Sequence, residues 1–174
     1  MIWRSWKMKI KLKYLIILLL PVFSSCGIYS FNQSYLSPDV KTISIEYFPN
    51  MALLVNPTLS NTFTEALKDM FTRQTRLTQI PSEGHLQFSG EIRDYSITPT
   101  AITGDEVASQ NRLTIRVKVK YVNQIDETQN FEKEFSAYSD FPGEASIEQY
   151  QSQLVEEITK TLVENIFNAS VGNW

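Results

Sequence analysis

The sequence predicts an α+β fold, a two-layer sandwich in which two helices cover one face of a four-stranded, mostly antiparallel sheet. Four segments alternate apolar and polar residues with the period of a strand, and two longer segments repeat apolar residues with the period of a helix. Their order along the chain is β-α-β-β-β-α. Placing both helices on the same face of the sheet is the simplest way to bury their two apolar stripes.

The N-terminal segment predicts a signal peptide over residues 1–25. Five basic residues precede a mostly apolar run over residues 14–23, which is too short for the roughly 20 residues that span a bilayer. Ser24 and Ser25 are small, as a signal peptidase requires, and Cys26 follows directly. Lipid attachment explains why Cys26 lies directly at the predicted cleavage point. It also explains why an exported chain contains one cysteine that has no second cysteine to pair with. The alternative is a short membrane anchor that is never removed.

Cleavage would leave residues 26–39 as a lipidated tether and residues 40–174 as a single α+β domain. All 19 acidic residues follow Cys26, whereas five of the 16 basic residues precede it, so cleavage lowers the net charge from −3 to −8. Nucleic-acid binding normally requires a basic surface, so this class of function is disfavoured. More than one acyl chain on Cys26 would give stable attachment to a membrane.

The first strand and the first helix follow the tether. Ile43, Ile45 and Tyr47 alternate with polar residues and predict a strand that ends near Pro49. The Asn-Pro pair at residues 56–57 predicts a helix start, with asparagine as the cap and proline at the first helical position. The apolar stripe of this helix consists of Leu59, Phe63, Ala66, Leu67, Met70 and Phe71. Its opposite face is not rich in basic residues, which favours packing on a core over binding to a membrane surface.

Three further strands are predicted. The second begins near His85 and changes its inward-facing phase after Ile92, which indicates a bulge near residues 93–94. The polar loop over residues 98–110 is of a length that is often functional or mobile. The inward-facing residues of the third strand are Leu113, Ile115, Val117, Val119 and Tyr121. In the fourth strand Lys133 falls on the apolar side, as suits an edge strand.

The last helix is predicted to begin after Ser146, with Gln149 completing a capping box, and to end near Ala169. Its apolar stripe consists of Leu154, Val155, Ile158, Leu162, Val163, Ile166 and Phe167. A stripe of this kind predicts a helix that packs against the sheet.

The third strand carries the cluster that could bind a ligand. Its outward-facing basic residues are Arg112, Arg116, Lys118 and Lys120. Such a row could contact the phosphates of an anionic ligand. A turn centred on Asp126 would instead neutralise part of it by cross-strand pairing. The pairs would be Lys118 with Glu134 and Lys120 with Glu132. Arg112 and Arg116 lie beyond those acids and are therefore the predicted ligand-binding residues.

Catalysis is not predicted. His85 is the only histidine and Cys26 the only cysteine, so neither a transition-metal cluster nor a triad with a Gly-x-Ser-x-Gly elbow is expected. The glycines are scattered and form no phosphate-binding loop. The sequence therefore predicts no catalytic residue, no metal site and no cofactor.

Seven short motifs follow one another along the mature chain, each of them once. They are Cys26-Gly27-Ile28-Tyr29-Ser30-Phe31, Val40-Lys41-Thr42-Ile43-Ser44-Ile45, Asn56-Pro57-x-Leu59-Ser60, Gly90-x-Ile92-x-Asp94-Tyr95, Asn111-Arg112-Leu113-Thr114-Ile115, Phe135-Ser136-x-Tyr138 and Asn173-Trp174. By their order and spacing the chain resembles the LPS-assembly lipoproteins of the LptE type, and within them the Bacteroidetes branch. The resemblance covers essentially the whole mature chain.

The resemblance implies a non-enzymatic lipoprotein on the periplasmic face of the outer membrane. Proteins of this family plug a large β-barrel of the LptD type, help it to fold, and with it deliver lipopolysaccharide to the outer leaflet. Arg112 and Arg116, in the matching strand, are the lipopolysaccharide contacts that the resemblance suggests. Two other hypotheses remain: a periplasmic lipoprotein scaffold of another envelope-assembly complex, and an anchored hydrolase.

Overall fold

The computed structural model describes residues 36–54, 56–100 and 109–172. The predicted signal peptide, Cys26 and the predicted tether up to residue 35 lie outside the described residues, as does most of the predicted polar loop. Within these three ranges no helix is long and apolar enough to cross a membrane.

Five strands and two helices form the described part of the chain. The strands are β1 (Thr42–Ile45), β2 (Thr78–Gln79), β3 (Leu86–Thr100), β4 (Gln110–Asn123) and β5 (Phe131–Pro142). The helices are α1 (Leu59–Gln74) and α2 (Ile147–Ser170), and a short 3₁₀ turn covers Glu127–Gln129. The fold class is α+β, as predicted.

The sheet has five strands in the order β2-β1-β3-β4-β5, so the predicted four-stranded sheet is wrong in this detail. β1 pairs in parallel with β2 and β3, whereas β3, β4 and β5 form an antiparallel meander. The sheet is therefore mixed. The additional strand consists of the exposed residues Thr78 and Gln79, which pair with Thr42 and Ile43. So short a segment has no alternation from which a strand can be predicted.

The meander contains the predicted bulge and the predicted edge strand. The pairing of β3 with β4 shifts between Ile92 and Asp94, which leaves Arg93 as the extra residue. β5 lies at one edge of the sheet, and its Lys133 is exposed. The strands on either side of the polar loop are longer than predicted, since β3 continues to Thr100 and β4 already begins at Gln110.

β1 is shorter than predicted, and the inward-facing phase changes after Ile45. Tyr47 is 60% exposed although alternation predicts it to be buried, and Phe48 is fully buried in its place. Phe48 reaches the core because the chain leaves regular pairing after β1. It rejoins β3 only at an isolated bridge between Asn50 and Ile92.

α1 begins later than predicted, whereas α2 begins after Ser146 as predicted but without the predicted capping bonds. α1 begins at Leu59, after the predicted Asn-Pro start, and the Asn56 side chain instead accepts the Thr58 backbone N–H at 3.0 Å. Asn56 thereby tightens the turn before the helix rather than capping it directly. Ser146 is the N-cap of α2 as predicted, but its side chain does not bond to the helix backbone. The predicted capping box is therefore not formed.

The two helices and the inner face of the sheet share one apolar core. Phe71 of α1 lies with its ring centre 4.9 Å from that of Phe88 on β3 and 5.2 Å from that of Phe167 on α2. Tyr121 of β4 continues this aromatic row at 4.9 Å from Phe88. Because both helices bury their stripes in the same core, they lie on one face of the sheet. The opposite face of β3, β4 and β5, which we call the outer face, carries polar and charged side chains.

Candidate functional site

The predicted basic ladder lies on the outer face of the sheet. The basic side chains of β4 on this face are Arg112, Arg116, Lys118 and Lys120. The β4 residues between them that point inward are buried, as alternation predicts. The position of each ladder residue on β4 is thus the one that the sequence indicated.

The two lysines of the ladder lie opposite the predicted acids. Lys118 faces Glu134 and Lys120 faces Glu132, around a connection centred on Asp126. The ion pair runs diagonally, because the Lys118 ammonium contacts Glu132 and not its direct neighbour. The hydrogen bond from Lys118 holds the pKa of Glu132 below its usual value. Lys120 makes no ion pair with any described residue.

Arg112 is held by two partners on β5. Its Nε and Nη2 donate to the two carboxylate oxygens of Asp140 at 2.7 and 2.9 Å. Its guanidinium also lies 3.7 Å from the centre of the Tyr138 ring. The hydrogen bond between the two side chains raises the pKa of Arg112 and lowers the pKa of Asp140. An anionic ligand at Arg112 would therefore have to share the guanidinium with Asp140 or displace this carboxylate.

Arg116 lies between two carboxylates and is held less closely. Its Nε is 3.3 Å from Asp94 on β3, and its Nη1 is 3.9 Å from Glu134 on β5. Half of its side chain is exposed. The structure thus places Arg112 and Arg116 on one face, each beside an acid. Their assignment as ligand-binding residues stays a prediction.

The acids Asp94 and Asp140 were not placed on this face by sequence analysis. The phase change at the bulge was a signal for Asp94, because it moves this residue to the side of Arg116. Phe141 continues the inward-facing alternation of the fourth strand, and this indicates that its neighbour Asp140 faces outward. The charges that form this cluster are acidic at Glu91, Asp94, Glu132, Glu134 and Asp140, and basic at Arg93, Arg112, Arg116, Lys118 and Lys120. The outer face is therefore zwitterionic rather than basic.

A shallow depression of about 250 Å³ lies on the outer face. Its lining residues are Ser89, Gly90, Glu91, Lys118, Lys120 and Glu132. A side chain at Gly90 would collide with the Lys118 carbonyl, so β3 and β4 approach closely here. The lining holds two lysines and two glutamates, so the depression is as zwitterionic as the rest of the outer face.

His85 has a structural contact. Its Nδ1 accepts the backbone N–H of Lys41 at 3.1 Å, which ties the start of β3 to the segment before β1. In the described ranges no group of three or more His, Cys, Asp or Glu side chains could hold a metal ion.

Comparison with protein families finds a match to LptE, described as lipopolysaccharide-assembly, over residues 40–170. No curated protein matches. A solved minor lipoprotein from Acinetobacter baumannii is similar with a TM-score of 0.47 and 15% identity, covering 73% of this chain and 89% of that chain. Rare lipoprotein B from Shewanella oneidensis is similar with a TM-score of 0.46 and 9% identity, covering 74% of this chain and 92% of that chain.

The structural similarities are too distant to carry a functional argument, whereas the family match spans the domain from before β1 to the end of α2. Proteins of this family are not enzymes. The chain belongs to the LptE family of lipopolysaccharide-assembly lipoproteins, as the resemblance of its motifs predicted.

Proposed function

We propose that the protein is an outer-membrane lipoprotein that plugs and helps to assemble an LptD-type β-barrel, and assists lipopolysaccharide transport to the cell surface. The observation that carries this proposal is the family match over residues 40–170. In this proposal residues 1–25 are a signal peptide, lipid on Cys26 holds the protein at the periplasmic face, and residues 26–39 tether the single domain over residues 40–174.

Lipopolysaccharide carries phosphate groups, and in this proposal the outer face of the sheet contacts them. Arg112 already holds a carboxylate in a two-point hydrogen bond, and phosphate fits the same guanidinium geometry. A phosphate that replaced Asp140 would exchange one charge-assisted, two-point hydrogen bond for another. Arg116 lies on the same face, and its longer contacts leave it able to reorient toward a second anionic oxygen.

Affinity purification tests the partner. A tagged full-length protein, extracted from outer membranes in mild detergent, should co-purify with an LptD-type barrel, and its depletion should lower the amount of correctly assembled barrel. A Cys26→Ala variant provides the control for membrane attachment. Recovery of a different envelope complex without any outer-membrane barrel would reject the plug function and favour the scaffold hypothesis.

Mass spectrometry of the mature protein tests the anchor. We expect an N-terminus at Cys26 that carries fatty acid. A chain that still begins at Met1, or an unmodified Cys26, would contradict lipid attachment.

A binding assay tests the ligand residues. The Arg112→Gln/Arg116→Gln variant removes two positive charges from the outer face, and Arg73→Gln/Arg76→Gln removes two exposed charges elsewhere. We expect the first variant to bind lipopolysaccharide at least tenfold more weakly in a fluorescence displacement assay, since even one charged hydrogen bond contributes about 1.5–3 kcal/mol. Equal affinity in the two variants would exclude Arg112 and Arg116 as contacts.

A further inference from the structure

β5 is an edge strand whose hydrogen-bonding direction follows from one contact. The Gly143 N–H donates to the Ser109 carbonyl at 2.7 Å, and these residues stand opposite each other just beyond the β4–β5 ladder. Hydrogen-bonded and non-hydrogen-bonded pairs alternate along an antiparallel ladder. The odd-numbered residues of β5 therefore direct their backbone groups toward β4, and the even-numbered residues direct theirs to the open edge.

The other side of β4 gives the same result independently. The Gln124 N–H donates to the His85 carbonyl at 2.8 Å, and these residues continue the β3–β4 register. Even-numbered residues of β4 therefore bond to β3, which leaves the odd-numbered residues of β4 to bond to β5. The two contacts agree on which residues of β5 face outward.

Two residues restrict pairing near the ends of this edge. Pro142 stands at an outward-directed position and has no N–H to donate, as is typical of proline on edge strands. Lys133 places a charge on the apolar side near the other end. Between them, the outward-directed N–H groups make no hydrogen bond to any described residue. They belong to Glu134, Ser136, Tyr138 and Asp140. Within the described part of the chain, residues 134–140 thus form an open edge, which we call the β5 edge.

The side chains beside the β5 edge define the chemistry of an incoming strand. On the outer face β5 presents Glu132, Glu134 and Asp140, and no basic residue. The Glu134 carboxylate has only one ion-pair contact among the described residues, at 3.9 Å. On the inner face the partly buried rings of Phe131 and Phe135 continue the aromatic row to the edge of the sheet. Basic residues on one side and apolar residues on the other would complement this edge.

We propose that the β5 edge binds an extended segment of a partner protein in which basic and apolar residues alternate, added to the sheet as a sixth strand. The new backbone hydrogen bonds supply affinity, and the alternating side chains supply specificity. A second copy of β5 is disfavoured, because it would bring acids toward acids or neutral residues in every register and would gain no ion pair on the outer face. The inference concerns an interaction surface and does not rest on lipopolysaccharide transport.

Two nine-residue synthetic peptides test the proposal with the full-length protein in detergent. One alternates lysine and valine, and the other alternates glutamate and valine. We expect the lysine peptide to slow amide hydrogen exchange within residues 134–140 at least tenfold, and the glutamate peptide to have no effect. Unchanged exchange with the lysine peptide, or equal protection by both peptides, would overturn the proposal. Slow exchange of the same amides caused by dimerisation of the protein without peptide would also overturn the proposal.

Two variants separate strand addition from non-specific attraction. Ser136→Pro removes an outward N–H while keeping the bonds to β4, and should weaken binding of the lysine peptide at least tenfold without unfolding the domain. Glu132→Lys/Glu134→Lys should reverse the preference in favour of the glutamate peptide. Glu156→Lys/Glu164→Lys makes the same charge change on the exposed side of α2 and should leave the preference unaltered. Retained binding by Ser136→Pro, or reversal by the α2 variant, would reject the β5 edge as the site.

Discussion

Replacing Tyr121 with phenylalanine tests the contribution of one buried hydroxyl group. Tyr121 is only 1% exposed, and its ring centre lies 4.9 Å from that of Phe88 and 5.1 Å from that of Phe131. Its hydroxyl has no hydrogen-bond partner in the described part of the chain. An unpaired buried polar group costs about 1–3 kcal/mol, so we expect Tyr121→Phe to raise the free energy of unfolding by about 1 kcal/mol at pH 7.

The same substitution should change the response to alkaline pH. Burial raises the pKa of Tyr121 from 10.0 to about 12. The nearby Asn123 amide opposes this rise, but its polar atoms bond to Gln129, Ile125 and Asp126 and it makes no hydrogen bond to the Tyr121 hydroxyl. The pKa of Tyr121 is higher in the folded protein than in the unfolded one. The protonated phenol therefore contributes a stabilisation that is complete below pH 10 and is lost as the pH rises through about 12. One pKa unit corresponds to about 1.36 kcal/mol. The wild-type protein should therefore lose about 1.4 kcal/mol by pH 11 that the variant retains, in addition to effects common to both proteins.

Urea unfolding followed by circular dichroism at pH 7, 9 and 11 measures both effects. The quantity of interest is the difference in unfolding free energy between variant and wild type at each pH. Tyr47→Phe, on an exposed residue, controls for the loss of a phenol itself. The reasoning would be refuted if Tyr121→Phe lowered stability by more than 1 kcal/mol at pH 7, since the hydroxyl would then have a partner. A difference that does not widen between pH 9 and 11 would refute the burial argument.

Three other substitutions probe separate parts of the fold. Gly90→Ala should lower the free energy of unfolding by about 2–3 kcal/mol in urea titrations, because the new Cβ collides with the Lys118 carbonyl. Phe71→Ala should lower it by about 3–5 kcal/mol and reduce the melting temperature, because two aromatic neighbours lose their contact. Asp140→Asn should lower the free energy of unfolding at pH 7, because it weakens the two-point hydrogen bond to Arg112. The Arg112 hydrogen bond lowers the pKa of Asp140, so this cost should begin to shrink near pH 3.8 and vanish as the pH falls through the lower pKa of the folded protein.

Alternation predicted the sheet where a strand is regular and one of its faces is buried. Every inward-facing residue predicted for β4 is buried, and the bulge after Ile92 was visible as a change of phase. β2 was not predictable, because its two exposed residues are held by pairing to a strand far away in the sequence. Tyr47 was misplaced because the phase changes where the chain leaves regular pairing, and no residue type marks that point.

The charged cluster was predictable only as far as local sequence determines it. The side of β4 on which Arg112 and Arg116 lie follows from alternation. The hairpin register that brings acids beside the lysines followed from a turn centred on Asp126. The carboxylates beside the two arginines depend on the bulge in β3 and on how far β5 continues. These are long-range features, and they decide that the cluster is zwitterionic.

The first strand of the domain occupies an interior place in the sheet. The Thr78 N–H bonds to the Lys41 carbonyl on one side of β1, and the Glu46 N–H bonds to the Phe88 carbonyl on the other. A pull on the N-terminal side, where the proposed membrane tether enters, therefore acts along a strand that is bonded to both neighbours. Such a force shears several hydrogen bonds together instead of opening them one after another. The attachment point is thus mechanically resistant, because the force must break the bonds of β1 to β2 and to β3 together.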